Sequence, residues 1–171
     1  MSNEEGNDTS EAYLARVIQH LRVMNFHTDG NITYKKQAFE YIAKRTRFEI
    51  EKFGFATTSY LFARFHALDM DELRDFSAIS FKYAEKTYGI TIPRIIVYSI
   101  TCFPVAIVDT IDNDTAETIR SNAPPKHFAA FEMPVVYSLA SGALYYCAVT
   151  PMWGYIYYDL MRHTINNILS P

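Results

Sequence analysis

The chain has 171 residues and a formal net charge of -3, with 49% hydrophobic and 20% charged residues. That make-up fits one globular domain with a sizeable core. It excludes a general electrostatic attraction to nucleic acid or to acidic membranes, so neither is expected as a partner.

The N-terminus, with Glu4, Glu5 and Asp8, lacks the basic and apolar regions of a signal peptide. Residues 1–9 read as a disordered acidic tail. Ser10 is placed as the cap of a first helix to about Asn25, with Leu14, Val17, Ile18, Leu21 and Met24 as its buried stripe. Thr28-Asp29-Gly30-Asn31 reads as a turn. A second helix is then predicted from Thr33 to Phe53. Phe39, Ile42, Ala43, Thr46, Ile50 and Phe53 line one side, and Lys36, Glu40, Lys44, Arg47 and Glu51 the other. The interleaved glutamates make that second side a solvated face laced with ion pairs rather than a DNA-binding surface. Thr57 to Ala67 reads as a short third helix, with His66 packed beside its stripe.

The fourth helix carries the clearest end signals. Asp69 precedes Glu72 at capping-box spacing, and Gly89 and Pro93 suit its C-terminus. Leu73, Phe76, Ser80 and Tyr83 are predicted to point inward. Residues 10–92 are therefore read as a helical region. The remainder, 93–171, reads as strand, helix, hairpin and helix within the same compact domain.

Arg94 to Asp109 is β-branched and lacks helical periodicity, which predicts a strand, divided in two at Pro104. Asp114 and Glu117 suggest a capped short helix to about Asn122. The stretch from Pro124 to Leu169 organises the chain. Ala129 to Leu139 and Ala143 to Val149 form a hairpin about Ser141-Gly142, pairing Leu139 with Leu144, Tyr137 with Tyr146 and Val136 with Cys147. Pro134 places the first strand at an edge or a bulge. Thr150-Pro151 caps a last helix to Leu169. Its predicted inner stripe is Trp153, Tyr157, Leu160, Met161, Thr164 and Ile168.

Met133 to Tyr158 carries no charge and is long enough to cross a bilayer. Its turn and cap residues argue instead for hairpin and helix. Cys102 and Cys147 have no metal-ligand spacing, and free thiols in a reducing, cytoplasmic setting are expected.

The expected fold class is α+β: N-terminal helices packed with a small, mostly antiparallel sheet and closed by a C-terminal helix. The 13 tyrosines and 12 phenylalanines point to a non-catalytic binding or assembly module using an aromatic surface. The binding residues would be Tyr155, Tyr158 and Arg162 on the last helix, with a protein partner or a second copy of the chain as occupant. The alternative is a metal-dependent hydrolase using Asp109 and Glu132, with His127. An aspartate ending one strand and a glutamate on its neighbour is similar to the arrangement in metal-dependent nucleases. Their Glu-x-Lys is here Glu132-Met133-Pro134, without the lysine. His127 and Glu132 differ in strand parity, which predicts opposite faces, whereas Cys147 shares a face with Glu132. Asp109, Asp112 and Asp114 are expected to serve turns and caps rather than a metal. No cofactor is expected.

Overall fold

The structure is a computed structural model that describes residues 3–50, 54–88, 97–127, 130–150 and 155–170. In chain order its elements are α1 (Asn3–Val23), β1 (His27–Tyr34), β2 (Gln37–Glu49), β3 (Gly54–Phe65), α2 (Met70–Tyr88) and β4 (Val97–Val108). Then follow α3 (Asn113–Ser121), β5 (Ala130–Glu132), β6 (Val135–Ser138), β7 (Ala143–Tyr145) and α4 (Tyr155–Leu169). The described strands form one sheet in the order β1-β2-β3-β4-β6-β7, with β5 beside β4. β1, β2 and β3 are an antiparallel meander, whereas β3, β4, β5 and β6 run parallel.

The α+β class stands, but the sheet is large and mixed rather than small and antiparallel, and the helices are not all N-terminal. The helices expected over 33–53 and 57–67 are strands. The turn expected at 28–31 lies within β1, and the chain reverses instead at Lys35 and Lys36, with φ of 46° and 70°. Two successive residues at positive φ give the primed turn that matches strand twist, here without the usual Asn-Gly. Helix α1 begins at Asn3, so Ser10 is an interior, buried residue and not its cap. Tyr13, Leu14, Val17, Ile18 and Leu21 are buried along it at helical spacing.

Along β3 and β4 the side chains alternate between two cores. Tyr60, Phe62, Phe103, Val105 and Ile107 join α1 and α4 on one face. Leu61, Ala63, Cys102, Ala106 and Val108 join α2 and α3 on the other. Burying each of the larger side chains among them, the leucine, valines, isoleucine and phenylalanines, is worth about 1.5–3 kcal/mol.

Pro104 does not divide β4, which runs unbroken beside β3. The break falls on the neighbouring strand, between β5 and β6. The common register of Cys102 with Glu132 and Val105 with Val135 puts Pro134 opposite Pro104, and neither can donate to the ladder. The C-terminal hairpin pairs Val136 with Tyr145 and Tyr137 with Leu144. The loop is therefore four residues, Leu139 to Gly142, closed by Gly142 N–H donating to the Ser138 carbonyl at 2.9 Å. Gly142 has the positive φ of 62° foreseen. The register is shifted by two from that expected, which leaves each side chain on its expected face.

In α4 the buried positions are Tyr158, Met161, Ile165, Ile168 and Leu169, while Ile156 and Leu160 are exposed. The helix is rotated from the stripe expected, because it packs against α1 as well as the sheet. Trp153, Gly89 and Pro93 and their expected roles lie outside the described residues.

Candidate functional site

The capping box places α2. Glu72 N–H donates to Asp69 Oδ1 at 2.8 Å, and Asp69 N–H donates to Glu72 Oε2 at 3.1 Å. From that start Leu73, Ser77 and Phe81 follow one another a turn apart on the side facing the sheet. Across from them lies Glu132, the last residue of β5. Its pairing with Cys102 turns it to the α2 face.

Glu132 is 4% exposed. Its Oε1 accepts from Ser77 Oγ at 2.5 Å, and its Oε2 lies 2.6 Å from His127 Nε2. A buried carboxylate requires such partners, and charge-assisted bonds of this length are among the stronger ones. The His127 ring lies flat on Phe81, with centroids 3.8 Å apart and 12° between planes. The parity argument that separated His127 from Glu132 fails because His127 does not extend β5. It stands beside Ala130 in an isolated antiparallel bridge, which brings the imidazole back to the carboxylate.

These groups floor a cleft of about 720 Å³ between α2, α3 and the segment leading to β5. Leu73, Ala78 and Phe81 form the α2 wall, and Ile119 and Asn122 come from α3. Pro124, Pro125, Pro134 and Cys147 complete it, with Arg74, Asp75 and Lys82 also lining it from exposed positions on α2. The volume is within the range of small-molecule sites, as is the mixture of apolar walls and few polar groups.

The order of the groups is not that of a serine–imidazole–carboxylate triad: the Ser77 hydroxyl donates to the carboxylate, and the imidazole stands on the carboxylate's other oxygen. Cys147 shares the cleft with Glu132 as expected, but its thiol donates to the Val149 carbonyl at 3.3 Å and burial pushes its pKa up. A reactive thiol requires the opposite shift. Cys102 is also a free thiol; burial raises its pKa strongly.

The other expected site residues lie elsewhere. Asp109 accepts from, or pairs with, His66 Nδ1 at 2.6 Å, and both are well exposed. Asp109 follows β4 and lies about 23 Å along the strand direction from Cys102, the partner of Glu132, at roughly 3.3 Å of rise per residue. Asp109 and Glu132 therefore do not converge. His66, expected to pack beside a helical stripe, instead stands exposed after β3. Asp112, rather than Asp114, caps α3: its side chain accepts from Thr115 N–H at 2.8 Å, and that bond lowers its pKa. Among the described residues no group of three or more His, Cys, Asp or Glu side chains could hold a metal ion.

On α4, Tyr158 is only 2% exposed and belongs to the core rather than to an outer face. The Tyr155 side chain lies outside what the structure describes. Arg162 bonds Asp159 at 3.3 Å as expected, and also reaches the Ala148 carbonyl at 3.2 Å and Thr150 Oγ1 at 2.5 Å. It pins the segment after β7 to α4. No helix among the described residues is long and apolar enough to cross a membrane.

Ser77 and Phe81 are the site residues that sequence reasoning missed. The signal available was their place in the row Leu73, Ser77, Phe81 and Ala84, a helical stripe with one hydroxyl set among apolar neighbours. No family model, curated protein or solved structure matches this chain.

Proposed function

We propose that the chain is a non-catalytic binding module whose ligand site is the cleft floored by Ser77, His127 and Glu132. The observation that carries this reading is a carboxylate buried at the base of an open, apolar-walled cleft, with both oxygens engaged by donors from separate elements. Burying that charge opposes folding, and a ligand-recognition role accounts for its retention. The hydrolase alternative rests on Glu132 and His127 alone, because Asp109 stands at the far end of β4.

A fragment screen by ligand-observed NMR tests the reading. Ala78 lines the cleft from an exposed position on α2, so Ala78→Trp narrows the cleft without touching the core. Hits on the wild type that vanish in Ala78→Trp, with an unchanged melting temperature, are expected. Hits that persist in the variant would locate binding elsewhere and refute the site.

A second reading, assembly with another copy of the chain through α4, is favoured by one observation. Ile156 and Leu160 are 77% and 61% exposed on that helix, near the stacked pair of Phe131 and Tyr157. Ile156→Ser with Leu160→Ser separates the readings on a sizing column. A dimer that becomes a monomer supports assembly; a wild type that is already monomeric at high concentration refutes it.

A further inference from the structure

We infer that the cleft takes an organic cation, specifically a primary amine carried on an apolar body. This deepens the binding reading and rests on it. The headgroup preference comes from Glu132. An ionised carboxylate offers about four lone-pair sites. Ser77 and His127 occupy one on each oxygen, so acceptor capacity remains on a group that lines the cleft.

The charge balance points the same way. Among the described residues His127 is the only ion-pair partner of Glu132. Ser77 brings no charge, and the carboxylate is only 4% exposed in a cleft with apolar walls, where an opposite charge is attracted far more strongly than in bulk solvent. An ammonium group fits both needs: it brings a full positive charge and three donors for the unused lone pairs.

The rival is an anionic headgroup drawn by Arg74 and Lys82. Arg74 already bonds Asp71 at 2.9 Å and is well exposed, and Asp75 lines the cleft beside it. The basic residues therefore sit at the water-facing mouth, where attraction is screened. A headgroup that buries itself meets the carboxylate. The body of the ligand is set by the walls: Leu73, Phe81, Ile119 and Pro124 present apolar surface, which suits an aryl or alkyl chain.

Three probes of one shape, 4-phenylbutylamine, 4-phenylbutyrate and 4-phenylbutanol, isolate the headgroup. Affinities for the full chain are measured by NMR titration, with Glu132→Gln and Ala78→Trp alongside the wild type. The amine is expected to bind at least about tenfold more tightly than the alcohol or the acid. Glu132→Gln keeps the shape and removes the charge. It should weaken the amine about tenfold and leave the alcohol within about twofold.

An amine no tighter than the alcohol overturns the inference, as does a Glu132→Gln variant that loses both alike. A tighter acid, lost in Ala78→Trp, also overturns it while leaving the binding module standing. If Glu132→Gln does not fold, the ratio of amine to alcohol on the wild type decides. Binding by none of the three also refutes the amine site, and the fragment screen then judges the module by itself.

Discussion

The two faces of the sheet are built on different principles. On the side of α1 and α4 the core is closed by aromatic packing. Tyr13 stacks on Tyr137 with centroids 3.7 Å apart, and Tyr60 stacks on Phe103 at 4.9 Å. The side of α2 and α3 has its own apolar core, but it also admits Ser77, Ser80, Glu132 and Ser59 below 5% exposure, and opens into the cleft. Among the described residues the buried hydroxyls of Ser59 and Ser80 find no hydrogen-bond partner, and neither do those of Ser10 and Tyr60 on the first face. Ser59, Cys102 and Glu132 stand in one register row across three strands. Both faces carry ring packing and buried hydroxyls; what sets the second apart is the polar row that ends at the Glu132 carboxylate and opens into the cleft.

The largest expected effect strikes the first face. Phe103 is 1% exposed and stacked on Tyr60, so Phe103→Ala should cost about 3–5 kcal/mol by chemical denaturation. A cost near 1 kcal/mol, as for an average substitution, would show that this face is not the main core.

Alkaline pH separates the faces by another route. Burial raises the pKa of Tyr13 and Tyr60 well above the ordinary value, since the phenolate is disfavoured away from water. A group whose folded pKa is raised holds its full contribution below the unfolded pKa, about 10 for tyrosine. That contribution is lost as pH climbs above this value toward the folded one. Ionisation of these two rings, followed near 295 nm, should therefore coincide with unfolding. Two phenols titrating normally in a folded chain would contradict the packing described.

Smaller effects are expected where single hydrogen bonds are removed. Tyr13 donates to the Leu169 carbonyl at 3.0 Å, joining α1 to the end of α4; Tyr13→Phe should cost about 1 kcal/mol. Asp69→Ala, which removes the cap of α2, should cost about as much. In both cases the check is a shift in denaturation midpoint at constant slope.

How much of this was legible in the sequence differs along the chain. α2 was readable because its cap is local: Asp69 and Glu72 bond each other's backbone, and Asp69 also accepts from Asp71 N–H. β4 was readable because a strand covered on both faces is apolar throughout. The meander was not. Lys36, Glu40, Lys44 and Arg47 recur at helical spacing, and tertiary pairing overrode that pattern. Glu40 pairs not along a helix but with Arg64 of β3, at 2.7 Å. The turn that would have exposed the hairpin is Lys35-Lys36, which lacks a glycine signal.

The site was half legible. Glu132 stood out as an acid in an apolar strand, but its partners come from a helix remote in sequence and from a chain reversal at His127 that strand parity could not anticipate. On α4 the apolar residues occupy more than one face, so periodicity alone could not choose between Tyr157 and Tyr158.

The central claim is that the Ser77–Glu132–His127 cluster serves ligand recognition and not stability. The direct test is the denaturation free energy of Ser77→Ala with Glu132→Leu, measured beside the affinity for 4-phenylbutylamine. His127 is about one-quarter exposed, so water can satisfy its ring once the carboxylate is gone. Replacing a buried charge cluster with apolar groups is often neutral or stabilising. The double variant should therefore keep a stability within about 1 kcal/mol of the wild type, or exceed it, while amine binding disappears. A loss of more than about 3 kcal/mol, or amine binding that survives the change, would contradict the account.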